Sequence, residues 1–543
     1  MRTTAVLDTC YTGRLGTVRL GTGRVSSIII YRFRREGTTA DITEGLATSA
    51  GHPTYVLSRW LFLRLLGVVY FVAYVSLALQ ITGLVGEHGI LPAGGFLQGA
   101  HVAYGGTAYR LLPTLCWLGA SDGALHALAW GGAALALLLV AGVAQAPVLL
   151  LLWLCYLSLA VVGQTFLWFQ WDGLLLETGL LAVLYAPTQL WPSLARERAP
   201  SAVARWLVWA LVFRLMFLSG LTKLASGDPT WLHFTALDYH FWTQPLPTWP
   251  AWYAHWLPEW IHRGMALAII VIELLVPLLI AVPERWRGRA ARRTACGLLV
   301  LGQLAIALTG NYGFFNLLAI VLCLSLLDDA ALERVLPLRL AVGDPEPRWK
   351  QYAIRGLGSL LALLAALTFA REIVQTVPGT RGALANPLLD AVAPLRSVNG
   401  YGLFRVMTTE RFEIVIEGGA DTVQWREYRF RWKPGDPTRP PPFVAPHMPR
   451  LDWQMWFAAL NPEGSRDWLL SLLRHVLAGT PEVIALLGDD PFADAPPHYV
   501  RLAYYRYRFS TPRERAMSGA WWQRERMGDL TKPLSLGDFV TPR

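Results

Sequence analysis

The chain has 543 residues, a formal net charge of +10, 54% hydrophobic residues and only 16% charged ones. An average soluble domain carries about 25% charge, so the composition excludes an ordinary cytosolic globule, a disordered chain and a collagen-like fibre. Five cysteines in this length exclude a disulfide-built scaffold, and 24 Trp suit a chain that sits where an apolar phase meets water. The positive charge is almost wholly Arg, with Lys only at Lys223, Lys350, Lys433 and Lys532. That skew points to base composition and not to a nucleic-acid partner.

Residues 1–54 are rich in Thr, Gly and Arg. Ile28 to Ile30 is too short for the apolar core of a secretory signal, and no small-residue cleavage site follows. The stretch is expected to be a disordered leader or an over-long start.

A hydrocarbon core of ~30 Å needs about 20 helical residues. Apolar runs near 60–83, 122–145, 147–163, 166–186, 202–223, 262–283, 294–310, 313–329 and 353–375 give about nine expected spans in a bundle over 55–375. Arg placement orients them. Arg285, Arg287, Arg289, Arg292 and Arg293 form a strong inside signal, supported by Arg196 and Arg198 and by Arg334, Arg339, Arg348 and Lys350. The segment 224–259 has no Lys or Arg but holds Asp228, Asp238 and Glu259. Alternating nine spans through these anchors puts the N-terminus inside, and loop 224–260 and the C-terminal region outside.

Beyond residue 376 the pattern changes to that of a separate α+β domain over 376–543, long enough to bury its own core. Arg411 to Glu417 and Gln424 to Trp432 alternate polar and apolar residues around Gly418, Gly419 and Asp421, which is a hairpin pattern. Pro434 to Pro442 is a Pro-rich loop, Leu451 to Leu460 and Trp468 to Leu477 read as helices, and Tyr499 to Phe509 as a strand.

No P-loop, dinucleotide fingerprint, H-E-x-x-H or C-x-x-C occurs. Gly119 to Gly123 matches G-x-S-x-G but precedes a membrane span and not the strand-turn-helix that a nucleophile elbow needs. The ionisable residues within spans are the better lead, because charge in hydrocarbon costs about 2.5–3.5 kcal/mol and demands a partner or a cavity. They are Arg64, Asp172, Glu177, Arg214, Lys223 and Glu273. Glu177 and Glu273 are available to Arg64 and Arg214, with the pairing left open, and Lys223 ends its span and can snorkel outward. These are either staples of the bundle or a functional set.

The loop after Lys223 carries Asp228, Trp231, Asp238, His240 and Gln244, then Trp249, Trp252, Trp256 and Trp260. So many indoles suit the headgroup level, or else a concave client surface. Asp238, His240 and His255 lack any fixed ligand spacing, so no metal and no cofactor is expected. A second candidate surface is the segment with Arg450, Asp452, Trp453 and Trp456, where one helical face is expected to pack the core against an ordered Pro loop.

At these residues the chain resembles the lipase maturation factor family, over nearly everything after residue 55. The resemblance rests on Phe169-Gln-Trp-Asp172 with Leu174 to Gly179, the Lys223 to Pro247 loop and Glu273 to Pro277. It extends to Gly310 to Asn316, Val398 to Phe404 and, most specifically, Pro442 to His447 running into Pro449 to Leu460. It implies a multi-pass membrane protein, of the endoplasmic reticulum in animals, that brings lipases to an active, secreted state through its C-terminal domain. No Asn lies in an N-x-[ST] sequon and Arg is abundant, so a bacterial member in the cytoplasmic membrane is expected, with an exported lipase or similar secreted client and the lipid bilayer as partners. Gly220-x-x-Lys223-Leu224 with Asp228 and Trp231 is also similar to a stretch of the vitamin-K-dependent carboxylases, where a lysine acts as catalytic base. Two readings follow: a chaperone-like factor with a structural Lys223, and an intramembrane enzyme with Lys223 as base. Nearby Asp228 or Asp238 is expected to hold the Lys223 ammonium charged, which favours a clamp over a base.

Overall fold

The computed structural model describes residues 54–191, 197, 199–336, 338, 346–376 and 386–539. The expected leader up to residue 53, together with Arg196, Arg198 and Arg339, lies outside the described residues. Among the described residues, seven helices are long and apolar enough to cross a membrane. They are α1 (Val56–Ala78), α2 (Asp122–Ala141), α3 (Gln145–Val162), α5 (Ala202–Ala225), α6 (Glu259–Leu274, extended by a 3-10 turn to Ala281), α7 (Gly288–Thr309) and α9 (Arg348–Gln375). Two of the nine expected spans fall on shorter helices, α4 (Gln170–Tyr185) and α8 (Phe315–Leu324). At 1.5 Å per residue these rise only ~24 and ~15 Å.

Contacts at the helix ends show how the short helices are placed. At the Arg-rich end, Asp329 accepts the first N–H groups of α1, from Val56 and Leu57 at 2.9 Å each and Ser58 at 3.2 Å. A carboxylate there satisfies orphan donors and complements the helix dipole. Arg293, early in α7, grips Asp328 with two bonds of 2.8 Å, and the Trp209 indole donates to the Ser325 carbonyl at 2.9 Å. The chain after α8 therefore returns to the end where α7 began. Likewise α4 starts beside the C-terminal region at Asp172 and finishes at Ala186, whose carbonyl takes the Lys350 ammonium at the start of α9. Both short helices thus link opposite ends of the bundle with help from flanking turns.

The bundle packs tightly where small residues permit. A Cβ at Gly132 of α2 would lie 2.2 Å from the Tyr74 ring of α1, so any other residue would force the helices apart. Tyr74 donates to the Leu152 carbonyl of α3 at 2.5 Å, which satisfies its buried hydroxyl. Ser121, from the G-x-S-x-G string, is the N-cap of α2 and accepts the Ala124 N–H at 3.3 Å. It follows a 3-10 turn, not a strand, so no nucleophile elbow forms.

The C-terminal region carries a four-stranded antiparallel sheet in the order β2-β1-β3-β4. The strands are β1 (Arg411–Gly419), β2 (Arg426–Tyr428), β3 (Tyr499–Phe509) and β4 (Trp522–Asp529), and Ile414 stands opposite Tyr504. Ile414, Ile416, Val500 and Leu502 point one way, into the core shared with α10 (Arg450–Leu460), α11 (Arg466–Leu477) and the bundle. Val415, Ala503, Tyr505 and Tyr507 point the other way, against Leu237, Phe241 and Trp252 of the Trp-rich loop and Ala266 of α6. The period of two along β1 therefore separates two buried faces, where sequence alternation alone suggests one wet face. One continuous apolar core joins Tyr55, just before α1, to Leu502 in β3.

Candidate functional site

The seam between bundle and C-terminal region gathers most of the charged residues expected to matter. Asp172 lies in the first turn of α4, and its two oxygens accept the Arg450 guanidinium of α10 at 2.6 and 2.8 Å. Tyr156 donates to the same carboxylate at 2.6 Å, and Arg450 also donates to the Phe166 carbonyl at 3.0 Å. The two charged side chains are 2% and 1% exposed. Charges this far from water persist only when paired and fully hydrogen-bonded.

One turn further along α4, Glu177 pairs with Arg214 of α5. Its second oxygen accepts the Tyr401 hydroxyl at 2.7 Å and the Asn399 backbone N–H at 3.1 Å. Arg214 donates in turn to the Asn399 carbonyl at 3.2 Å. A carboxylate within the bundle thereby grips the chain at the start of the C-terminal region.

Lys223, near the C-terminal end of α5, is 4% exposed and bonds Glu273 of α6 at 2.7 Å and the Ser219 carbonyl at 3.3 Å. Its ammonium lies 5.4 Å from the centre of the Trp231 ring. It does not snorkel, and its carboxylate is neither Asp228 nor Asp238. Asp228 caps the short helix Pro229–Leu232 through Thr230 at 2.8 Å and takes the Met407 N–H at 2.5 Å. Asp238 bonds His262 at 2.7 Å. The chain turns at Gly227 (φ +73°) before Asp228, which leads these two carboxylates away to secure the loop itself. Arg64 takes neither Glu177 nor Glu273; it donates to the Trp60 carbonyl at 3.3 Å and lies 4.5 Å over that ring.

Around Lys223 the loop forms a tight polar and aromatic layer. Trp231 donates to the Phe404 carbonyl at 2.9 Å. Tyr312 donates to Gln244 at 2.6 Å and lies 3.2 Å from His240 Nε2, while Gln244 donates to the Thr309 carbonyl at 2.9 Å. Burial, with help from the Lys223 charge, pulls His240 down to about 4, so its ring is neutral at ordinary pH. Among the described residues no group of three or more His, Cys, Asp or Glu is placed to hold a metal ion.

Of the second candidate set, Trp453 is 3% exposed and meets Trp171 of α4 edge-on at 4.8 Å, with Tyr312 at 5.9 Å. Trp456 donates to the Thr243 carbonyl at 2.9 Å. Asp452 accepts the Trp432 and Lys433 N–H groups at 2.9 Å each, and burial, opposed by those bonds, pushes its carboxyl up to about 6. The Pro loop is ordered, but against the bundle: Asn311 donates to the Pro442 carbonyl at 2.8 Å and accepts the Val444 N–H at 2.7 Å. Arg450, Asp452, Trp453 and Trp456 are all buried in this contact, which leaves them no open face for a client.

Sequence reasoning missed a further cluster in β1. The Arg411 guanidinium donates to Glu413 at 2.6 Å and to the Trp242 and Pro245 carbonyls at 3.0 and 2.8 Å, and Lys433 pairs with Glu413 at 2.7 Å. This cluster ties the sheet to the Trp-rich loop. The one sequence signal is the polar–apolar alternation of Arg411 to Glu417, which puts Arg411 and Glu413 on the strand face of Val415.

Fold and site together define a multi-pass α-helical membrane protein whose C-terminal α+β region is pinned to charges inside its bundle. The chain belongs to the lipase maturation factor family: the model of its transmembrane domain matches residues 57–334 and that of its C-terminal domain matches residues 397–532. Lipase maturation factor 2 of Homo sapiens is 38% identical over 601 residues, covering 89% of this chain and 83% of the human protein. Lipase maturation factor 1 of Mus musculus is 35% identical over 527 residues, covering 90% and 88%. No solved structure matches. These relatives are vertebrate proteins and lend no support to the expected bacterial origin.

Proposed function

We propose that this protein is a membrane-embedded maturation factor that helps an exported lipase fold or assemble, by chaperone-like contact and without covalent chemistry of its own. The supporting observation is that two of the bundle's buried acids hold the C-terminal region: Asp172 takes Arg450, and Glu177 takes Asn399 and Tyr401. In this reading a bundle over 55–375 serves as a rigid mount for a C-terminal domain over 376–543. That domain lies on the side opposite the Arg-rich end, where exported clients pass. Exposed aromatics beside it, Trp249, Tyr253 and Phe443, form the surface offered to the client.

The enzyme reading is the weaker one, because Lys223 is buried in an ion pair with Glu273 and surrounded by side chains already bonded to each other. The test is co-expression of the full chain with a secreted lipase, reading enzymatic activity per secreted lipase molecule. A rise that depends on the chain, with no mass added to the lipase, supports the proposal. Equal activity without the chain, or a covalent adduct on the lipase, contradicts it.

A further inference from the structure

Between the last turns of α1 and the Pro-rich segment lies a groove of about 460 Å³, within the ~300–1,000 Å³ range of small-molecule sites. Val72, Val75 and Leu79 form one wall, and Trp432, Val444 and Leu486 form the other. The polar groups that reach it are already engaged. Ser76 Oγ accepts the Met448 N–H at 2.9 Å and lies 2.9 Å from His447 Nδ1. Gln80 donates to the Met448 carbonyl at 3.0 Å and accepts the Arg450 N–H at 2.9 Å. Asp452 holds the two N–H groups named above, and Arg431 uses Nε and Nη2 on the Leu487 and Ala485 carbonyls at 2.9 and 2.8 Å.

An extended peptide in this groove would lose hydration of its backbone N–H and C=O groups and find few partners in return. An alkyl chain needs none. Val72 and Val75 belong to a 23-residue helix apolar enough to span, so one wall of the groove is the last turns of a membrane span. At its rim Arg431 is exposed and carries a positive charge suited to a lipid phosphate. We propose that this groove holds one acyl chain of a bilayer phospholipid, seated between α1 and the C-terminal region with its headgroup at Arg431.

The test uses the full chain in phosphatidylcholine vesicles doped with phosphatidylcholine bearing a diazirine midway along one chain, with adducts mapped by peptide mass spectrometry after illumination. Adducts are expected on the Trp432–Met448 segment as well as on lipid-facing helices. Leu79→Glu replaces a residue that is 67% exposed, so the fold tolerates it. It should cut the Trp432–Met448 adducts about tenfold or more, since it sets charge against hydrocarbon. Adducts at the exposed Leu357 and Leu360 of α9 should not change. Val75→Trp, which fills the groove, should act alike. The proposal is overturned if the wild-type Trp432–Met448 segment carries no adduct, or if Leu79→Glu leaves its adducts at wild-type level.

Discussion

Arg450 of the C-terminal region and Asp172 of the membrane bundle, 278 positions apart in sequence, form a two-bond ion pair buried from solvent. A pair of this kind contributes little net stability over an apolar replacement, yet breaking it from one side costs about 3–5 kcal/mol because a lone charge stays buried. Its two-bond geometry fixes how α10 sits on α4 in this structure. The same logic applies to the other seam clusters, and it yields separate expectations for each.

Tyr401 tests the Glu177 cluster. Its hydroxyl donates to a buried carboxylate at 2.7 Å, a bond worth about 1.5–3 kcal/mol. Tyr401→Phe should lower the thermal midpoint in detergent with the ring packing intact. Arg214→Met should do more damage, since it strips Glu177 of its counter-charge. An unchanged midpoint in Arg214→Met would mean the pair does not hold the seam.

Lys223 separates a clamp from a base. Arg keeps the charge and can still meet Glu273, but it cannot titrate near neutral pH. Lys223→Arg should retain most lipase maturation, and Lys223→Ala should lose much of it together with order in the Trp-rich loop. Glu273→Gln should resemble the Ala variant. If Arg proves as inactive as Ala while the protein folds and reaches the membrane, the clamp fails and the enzyme reading leads.

Trp453 and Phe443 divide core from surface. Trp453 is buried among Trp171, Phe169 and Tyr312, so Trp453→Ala should cost about 3–5 kcal/mol and remove folded protein. Phe443 is 47% exposed, so Phe443→Ala should fold normally and reduce only lipase maturation. Monodisperse protein and client activity are read side by side; a fully active Phe443→Ala argues against this client surface.

Acidification should loosen the seam. Burial, aided by Arg450 and Arg431, pulls His447 down to about 4, as burial and Lys223 do for His240. Between pH 4 and 6.5 the unfolded chain then binds more protons than the folded one, so stability falls as pH drops through that window. From pH 7 to 5 the loss is about 1–2 kcal/mol for each histidine. Asp452, raised to about 6, works in the opposite sense over pH 3.8 to 6 and offsets part of it. The histidines win, so the thermal midpoint should decline from pH 7 to 5, and His240→Gln or His447→Gln should flatten the slope. A wild-type midpoint that holds steady or rises on acidification contradicts this.

Much of the architecture was legible in the sequence because its signals are local. Apolar runs marked the passes, and period-two alternation marked β1 and β3. Strand β4 was not legible: Gln523 to Asp529 alternates almost no apolar residues, because it is an exposed edge strand held by pairs such as Arg506 with Glu525 and Arg524 with Glu427. Asp172, Glu177 and Glu273 could be read as acids within spans, and Arg214 was one of the partners open to Glu177. The partners Arg450 of Asp172, and Asn399 and Tyr401 of Glu177, could not be read, because they lie more than 200 residues away and only tertiary packing brings them together. Arg411 and Glu413 looked like the wet face of a strand because nothing local says that the Trp-rich loop covers it.

The central claim is that the buried charges work by position, and the Asp172–Arg450 pair tests it most directly. Lipase activity per secreted lipase molecule is measured with Arg450→Met and with Arg450→Met combined with Asp172→Asn. The single variant leaves a buried carboxylate without its counter-charge and should lose both folded protein and lipase maturation. The double variant removes both charges and should recover folded protein and, with it, most of the maturation activity. A double variant that folds like wild type yet matures no lipase would contradict the claim and assign these side chains a direct part in the chemistry.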